Sequence, residues 1–256
     1  MSIKCKAAVI RTNKATAPYK VSQPLSIEEI NISPPQANEI LVQVKGAGLC
    51  HSDLSVINGS RVMPMPLVIG HEGSGEVVEL GNAVNDIKIG DHVSFQFSPS
   101  CGRCRRCLEG RPQVCELAAA TKGKGQLMSG GSRLTDANGE VLNHHTGISC
   151  MSEYAVVDRG SVVVIDKSIN IEDAALLEMW MDWQLFAINP MMRPVFHGLV
   201  RNLPENRNWE EINKAIELGN SLWKILDNYL EDKSFMGGEK IGIADFPLGP
   251  VVHRFF

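Results

Sequence analysis

The hydrophobic pattern of this chain changes character near Leu177. Before that point, apolar and polar residues alternate over short runs, which is typical of half-buried β-strands. Glycine-rich turns separate these runs. The clearest predicted strands cover residues 39–45, 75–81, 91–95, 153–157 and 161–165. Many short strands with little helix predict a barrel-like β domain.

After this junction at Leu177, apolar residues recur at intervals of three and four, which predicts helices. Asn208 and Glu211 form a capping-box pattern, in which Asn208 caps the helix and Glu211 reaches back to its amide. The apolar stripe that follows predicts one long amphipathic helix over residues 208–231. A further helix is expected to begin near Ile243, after a pair of glycines.

Composition divides the chain at the same place, because all seven cysteines precede the junction and all four tryptophans follow it. We therefore expect a multidomain chain, with a β-rich barrel domain over residues 1–177 and an all-α helical segment over residues 178–256. Within the second part, residues 178–200 should be helical. Pro190 and Pro194 should kink or break that helix.

The overall charge and hydropathy narrow the class of protein. A net charge of −4 without a basic stripe argues against nucleic acid as a partner. No apolar run approaches the ~20 residues of a membrane span, and the apolar stretch at the start of the chain is too short for a signal peptide. We therefore expect a cytoplasmic protein, in which clustered thiols stay reduced and bind metal more often than they form disulfides.

Four closely spaced cysteines are the strongest chemical signal in the sequence. The ligands are Cys101, Cys104, Cys107 and Cys115. Thiolates this close in sequence can meet at one tetrahedral zinc ion. Because one loop supplies all four ligands and leaves no open position, the predicted site is structural. Arginines at 103, 105, 106 and 111 would help to offset its negative charge. The alternatives are unrelated surface thiols or two disulfides.

A second possible metal site is spread over two motifs, Gly48-Leu-Cys50-His-Ser-Asp53 and Gly70-His71-Glu72. Cys50 and His71 supply two of the three protein ligands that a catalytic zinc ion requires. A lone cysteine or histidine is more often structural, so each motif alone is weak. Together with the four-cysteine loop they favour a zinc enzyme.

Residues 1 to about 177 resemble the catalytic domain of the zinc-dependent medium-chain alcohol dehydrogenases, which has a GroES-like barrel fold. The motifs that carry the resemblance are the two just described, Gly90-Asp-His-Val93, and the loop from Cys101 to Cys115. The family oxidises small alcohols or reduces aldehydes by hydride transfer with NAD(P), and zinc acts as a Lewis acid.

The resemblance implies a role for each matching residue. Cys50 and His71 would bind the catalytic zinc ion, and Glu72 would be an alternate ligand. Ser52 would take the alcohol proton. Asp53 would orient His71 from behind the metal shell.

This sequence departs from the family pattern at the third zinc ligand and at the cofactor site. Glu178 and Met179 stand where the family has Gly-Cys, and Cys150 is not expected to replace that ligand. His51 stands where the family places a basic residue against the cofactor pyrophosphate. No G-x-G-x-x-G or Walker-type motif is present, so NAD(P) is implied by family resemblance only and its binding is not expected.

Residues 178–256 resemble the helical C-terminal domain of glutathione S-transferases. The resemblance is carried by segments 180–183, 193–198, 223–227 and 242–245. Gly242 stands where that family has a Ser or Thr helix cap, and the thioredoxin-like domain with the glutathione site is missing. A generic helical bundle with an aromatic core is the alternative.

The sequence therefore supports a zinc-binding protein of the alcohol dehydrogenase type that is catalytically incomplete. The alternatives are a non-catalytic zinc or interaction module, a chimeric reading frame without selected function, and a glutathione S-transferase-like binding fragment. We also expect self-association, because barrel edges should be unpaired. Trp180, Trp183, Phe255 and Phe256 should likewise have too little to bury against.

Overall fold

The computed structural model describes residues 2–239, 241–242 and 244–255, without the side chains of 175–179, 182 and 254. The chain forms two compact units, Met1–Leu176 and Leu177–Phe256. Expectations that concern Ile243, Phe256 and the side chains of Glu178 and Met179 lie outside the described residues.

The first unit is built from short strands with a few short helices. Its strands are β1 (Ile3–Ile10), β2 (Ser26–Ile32), β3 (Glu39–Gly48), β4 (Leu67–Val68), β5 (Glu72–Leu80), β6 (His92–Phe95), β7 (Leu134–Asp136), β8 (Val141–His144), β9 (Tyr154–Asp158) and β10 (Val162–Val164). Its helices are α1 (Tyr19–Ser22), α2 (His51–Ile57), α3 (Arg105–Leu108) and α4 (Glu116–Lys122). The prediction of a β-rich, barrel-like domain is confirmed.

The strands form a closed barrel in the order β1-β2-β7-β8-β4 and a five-stranded sheet in the order β10-β6-β5-β3-β9. β4 pairs antiparallel with β1 and parallel with β8, and so closes the barrel. The expectation of unpaired barrel edges is therefore wrong, because the barrel is completed by strands within the first unit. The open edges belong to the five-stranded sheet. On its edge strand β10, Val163 and Val164 are 54% and 45% exposed.

Alternation of apolar side chains produces a packed core on each of the two sheets. One face of the barrel strands buries Val9, Ile30, Ile32, Leu134 and Leu142, and the five-stranded sheet buries Ile40, Val42, Val77, Val93 and Phe95. Full burial of each such side chain is worth about 1.5–3 kcal/mol. A third cluster packs Val56 and Ile57 of α2, the helix that follows Cys50, against Leu67 of β4.

A buried ion pair ties the start of β3 to the segment before β7. Arg133 donates from Nη2 to Glu39 Oε1 (2.7 Å) and from Nε to Glu39 Oε2 (2.9 Å), and Ser129 also donates to Glu39. Asp158, at the end of β9, accepts from the backbone N–H of Met128 (2.6 Å). Burial raises the pKa of Asp158 to about 6, and the Glu39 carboxylate adds to the rise. The Glu39 carboxylate is thus compensated by the Arg133 ion pair, whereas the charge of the nearby Asp158 carboxylate is poorly compensated.

The second unit is helical in the described residues. Its helices are α5 (Ile171–Trp183), which begins before the junction, α6 (Asn189–Phe196), α7 (Trp209–Leu230) and α8 (Asp245–Phe255). Pro190 and Pro194 do not break the chain's helical course, because wider π-turns at Gln184–Ile188 and His197–Arg201 flank α6. Such turns accommodate the missing N–H and the bulk of a proline ring. No helix in the described ranges is long and apolar enough to cross a membrane.

Asn208 caps α7 as predicted, but the Glu211 side chain contacts the side-chain amide of Asn208 and not its backbone amide. Asn208 Oδ1 accepts from the backbone N–H of Glu211 (3.2 Å), and the Glu211 carboxylate accepts from the Asn208 side-chain amide (3.4 Å). At the last helix, Asp245 Oδ2 accepts from the backbone N–H of Gly242 (2.6 Å). At the start of each of these helices, a side chain therefore accepts a hydrogen bond from a backbone or side-chain N–H three residues away.

Trp180 is 5% exposed, so the expectation that it has too little to bury against is wrong. Its ring lies 5.2 Å from that of Trp183 and 4.6 Å from that of Tyr229, and Phe255 lies 5.5 Å from Trp223. The exposed apolar side chains of the second unit are others, including Leu185, Phe186, Trp209 and Phe246. Self-association through such a surface stays a prediction.

Asp158→Asn should stabilise the protein at neutral pH. The folded-state pKa of about 6 lies above the ordinary aspartate pKa of 3.8, so the folded state binds the proton more tightly. The contribution of Asp158 to the free energy of unfolding is then fully present below about pH 4 and is lost as the pH rises from about 4 to about 6. Asparagine keeps an acceptor for Met128 without the charge. We expect the free energy of unfolding at pH 7 to rise by roughly 1–2 kcal/mol.

Denaturant unfolding between pH 4 and pH 8 measures this effect. Asp86→Asn is the control, because Asp86 is exposed and Arg159 lowers its pKa, so its loss should give no such gain. A stability difference between Asp158→Asn and the parent that does not grow with pH would contradict the prediction.

Candidate metal centres

The four-cysteine loop, residues 101–115, brings its four sulfur atoms together. Cys104 precedes α3 and Cys115 precedes α4, so the ends of two short helices place them. The Sγ of Cys104 lies 3.5 Å from that of Cys107 and 3.9 Å from that of Cys115, and Cys101 Sγ lies 4.0 Å from Cys107 Sγ. Four thiolates around one zinc ion at about 2.3 Å are separated by about 3.8 Å. The loop therefore matches the size of a tetrahedral zinc site.

Backbone amides stabilise negative charge in this loop. The N–H of Cys104 donates to Cys101 Sγ (3.3 Å), and the N–H of Cys101 donates to Cys115 Sγ (3.4 Å). Backbone N–H groups lower the pKa of Cys104 to about 6, whereas burial and the neighbouring Cys104 thiolate raise the pKa of Cys107 to about 11. Cys104 thus ionises readily, whereas ionisation of Cys107 beside it is opposed unless a cation compensates the charge.

The alternatives for this loop are less well supported. All seven cysteines are free thiols, so the loop is not cross-linked by disulfides. The arginines contribute less than expected, because Arg105 and Arg106 are paired with Glu109 (2.7 and 3.4 Å).

Strand register places the second group of candidate ligands. β3 and β5 pair antiparallel with Gly48 opposite Glu72, so the chain that leaves β3 lies beside the chain that enters β5. Cys50 then caps α2, and His71 immediately precedes β5. Gly70 has φ +98°, and a Cβ there would lie 2.6 Å from the backbone nitrogen of Met151. Only glycine fits this turn without strain.

Cys50, His71 and Glu72 form a compact set of three different ligand types. One ligand atom from each lies within 4.8 Å of the others. Ser52 Oγ lies between two of them, 3.2 Å from Cys50 Sγ and 2.9 Å from His71 Nε2. His71 Nε2 lies 4.0 Å from Glu72 Oε1. The structure therefore brings together the residues that the sequence motifs predicted as ligands.

The electrostatics of this set favour an ion pair between the Cys50 thiolate and the His71 imidazolium. Burial opposes ionisation of Cys50, but His71 and Ser52 outweigh it and lower the pKa of the thiol to about 7. Burial also opposes protonation of His71, but Asp53 and Cys50 raise the pKa of the imidazole to about 10. A cation that binds here replaces the His71 proton.

Asp53 lies behind this set and has no exposed surface. Its Oδ2 accepts from the backbone N–H of Cys50 (2.9 Å), and its Oδ1 lies 3.2 Å from His71 Nδ1. Burial opposes its ionisation, yet His145 and His71 hold the pKa of Asp53 well below its usual range. The predicted neighbour of His71 is therefore in contact with it.

Sequence reasoning missed His145. Its Nδ1 lies 3.0 Å from Asp53 Oδ1, its ring is fully buried, and the ring centroid lies 4.9 Å from that of His71. Burial lowers the pKa of His145. No motif singled it out, because it follows β8, far along the chain from Asp53.

The remaining predicted positions lie around this centre. His51 is exposed at the first turn of α2. Cys150 is fully buried in the core of the five-stranded sheet, where its Sγ donates to the carbonyl of Glu72 (3.1 Å). The predicted departure from the family at Glu178 and Met179 concerns side chains outside the described residues.

Comparisons with known proteins agree with this architecture. Residues 36–167, just over half of the chain, match the family described as "Alcohol dehydrogenase GroES-like domain". The chain is 39% identical over 166 residues to S-(hydroxymethyl)glutathione dehydrogenase of Synechocystis sp., which covers 64% of this chain and 45% of the relative. It is 39% identical over 176 residues to the protein of the same name from Saccharomyces cerevisiae, which covers 68% and 44%.

A solved structure is also similar to this chain in sequence and fold. The crystal structure of an alcohol dehydrogenase zinc-binding domain protein from Burkholderia ambifaria is 32% identical, with a TM-score of 0.64, over 75% of this chain and 50% of that one. The chain thus spans less than half the length of the two curated relatives. On the family match and the geometry of its two ligand sets, the chain belongs to the alcohol dehydrogenase GroES-like domain family.

Proposed function

We propose that this chain is the zinc-binding, substrate-side part of an oxidoreductase that acts on the CH–OH group of a small alcohol or the corresponding aldehyde. The observation that carries the proposal is the convergence of Cys50, His71 and Glu72 around the Ser52 hydroxyl. Three relatives or neighbours with similar sequences are named as dehydrogenases or as a zinc-binding domain of that kind.

The donor chemistry of both ligand sets suits zinc. Thiolate, imidazole and carboxylate are the protein ligands that zinc prefers, and three of them leave room for a substrate. A zinc ion at Cys50, His71 and Glu72 supplies Lewis acidity toward a substrate oxygen. Ser52 is placed to accept or relay a proton beside that position, and Asp53 holds His71 with Nε2 toward the ligand set. Zinc in the four-cysteine loop is structural.

We further propose that the polypeptide of residues 1–256 does not complete hydride transfer by itself. The support is local: in the described residues, the segment after β10 forms helices α5 to α8, and none of these follows a G-x-G-x-x-G turn that would hold a dinucleotide pyrophosphate. NAD(P) belongs to the proposal only through the family. A non-catalytic zinc or interaction module and a chimeric reading frame are the alternatives.

The glutathione S-transferase-like interpretation of residues 178–256 rests on the helix starts. The contact of Asp245 with the backbone N–H of Gly242 is the reciprocal half of a capping box, which would be complete with Ser or Thr at position 242. This supports a helical domain of that kind as a second candidate, with a binding role.

We expect one tightly bound zinc ion per chain in the four-cysteine loop. Serine at all four cysteine positions should abolish it and unfold the loop, because metal binding supplies local folding free energy. Elemental analysis of purified protein measures the zinc content. Cys5→Ser is the matched control, since Cys5 is buried in the barrel core and should not alter it. Absence of zinc, or zinc retained by the four-serine variant, would contradict the prediction.

The second centre should bind zinc more weakly. A carboxylate replaces a thiolate in its ligand set, and softer thiolate ligands bind zinc more tightly. We expect a second equivalent that a mild chelator removes and that Cys50→Ala and His71→Ala lose, while the four-cysteine loop keeps its metal. A second equivalent that survives mild chelation would refute the lower affinity. An equivalent unaffected by Cys50→Ala would refute the assignment.

The chain of residues 1–256 should show no measurable alcohol oxidation with NAD or NADP and no conjugation of glutathione. Spectrophotometric assays with short-chain alcohols, and with S-(hydroxymethyl)glutathione, test the first part. Calorimetry with each dinucleotide tests cofactor binding separately. Saturable binding of either dinucleotide would overturn the first claim, and glutathione-dependent turnover would overturn the second.

A further inference from the structure

The Asp53 carboxylate has one close nitrogen contact more than its role behind His71 requires. The carboxylate is fully buried, and three nitrogen atoms surround it. The backbone N–H of Cys50 occupies Oδ2 at 2.9 Å, while His71 Nδ1 and His145 Nδ1 share Oδ1 at 3.2 and 3.0 Å. The shorter of the two imidazole contacts is the one to His145, which belongs to neither ligand motif.

His145 is held rigidly in this position. Its backbone N–H donates to Ser149 Oγ (2.9 Å), and Ser149 Oγ donates to the carbonyl of Val68 in β4 (2.7 Å). Ile148 closes the turn by donating to the carbonyl of His145 (3.0 Å). The loop after β8 is therefore fastened to β4, a few residues before His71, so His145 and His71 keep a fixed separation.

Because the Cys50 N–H already holds Oδ2, the position of Oδ1 decides how the His71 ring is oriented. A second imidazole nitrogen 3.0 Å from the same oxygen limits the movement of the carboxylate, and the two rings cross edge to face at 83°. We propose that His145 is a positioning residue for the Cys50–His71–Glu72 centre: its Nδ1, packed 3.0 Å from Asp53 Oδ1, holds that carboxylate in place and so keeps His71 Nε2 directed at the metal position. This inference rests on the proposed metal site.

The test uses the full chain with zinc already in the four-cysteine loop. Cobalt(II) is then titrated into the second centre, and the visible ligand-field band and the thiolate charge-transfer band report the geometry and affinity there. His145→Phe keeps an aromatic ring, slightly larger than imidazole, but removes the Nδ1–H group. We expect it to weaken cobalt binding by about 10- to 100-fold, which is typical when a partner behind a metal ligand is lost. His145→Asn restores an N–H donor and should recover most of the affinity.

His144→Phe is the matched control for loss of a buried imidazole. His144 is the neighbouring residue and is equally buried, but its Nε2 accepts from the backbone N–H of Arg133. We expect His144→Phe to lower stability without a change in cobalt affinity, and zinc in the four-cysteine loop to remain in every variant.

Three results would overturn the inference: parental cobalt affinity in His145→Phe, no recovery in His145→Asn, or an equal loss in His144→Phe. A parent protein that gives no cobalt signal at the second centre would instead overturn the proposed metal site, and the inference with it.

Discussion

The second metal centre depends on one buried charge, the Asp53 carboxylate. A carboxylate with no exposed surface costs several kcal/mol unless donors compensate it. Here the compensation comes from Cys50 at the start of α2, from His71 before β5 and from His145 after β8. Because these donors belong to three separate parts of the chain, the charge is stable only when helix, sheet and barrel loop are all in place. The geometry of the centre is thus coupled to folding of the whole first unit.

The two ligand sets differ in what organises them. In the four-cysteine loop the backbone N–H groups of Cys101 and Cys104 donate to sulfur atoms of the same loop. The positions of these sulfur atoms are therefore set within the loop itself, and binding of a metal ion there depends little on the packing of the two sheets. The second set is organised by the register of β3 against β5 and by the buried carboxylate behind it. A substitution that destabilises the barrel should therefore disturb the second ligand set before it disturbs the four-cysteine loop.

Much of the fold and of the candidate site was predictable from local pattern. Period-two alternation marked strands that became β3, β5, β6, β9 and β10, and the Asn208 pattern marked the start of α7. The predicted ligands Cys50, His71 and Glu72 do converge, as do the four cysteines. The prolines of the second unit were harder to interpret, because π-turns before and after α6 accommodate them without a break. That outcome depends on helix packing, which periodicity does not encode.

By itself, the sequence determined features whose partners lie within a few residues: the four-cysteine spacing, the helix caps and the faces of the strands. Only the tertiary structure decided that β4 closes the barrel, that Glu39 pairs with Arg133 beside Asp158, and that His145 contacts Asp53. The physical reason is that a buried polar group must find a partner, but its position along the chain does not specify which one. That choice is made when strands from distant parts of the sequence pack together.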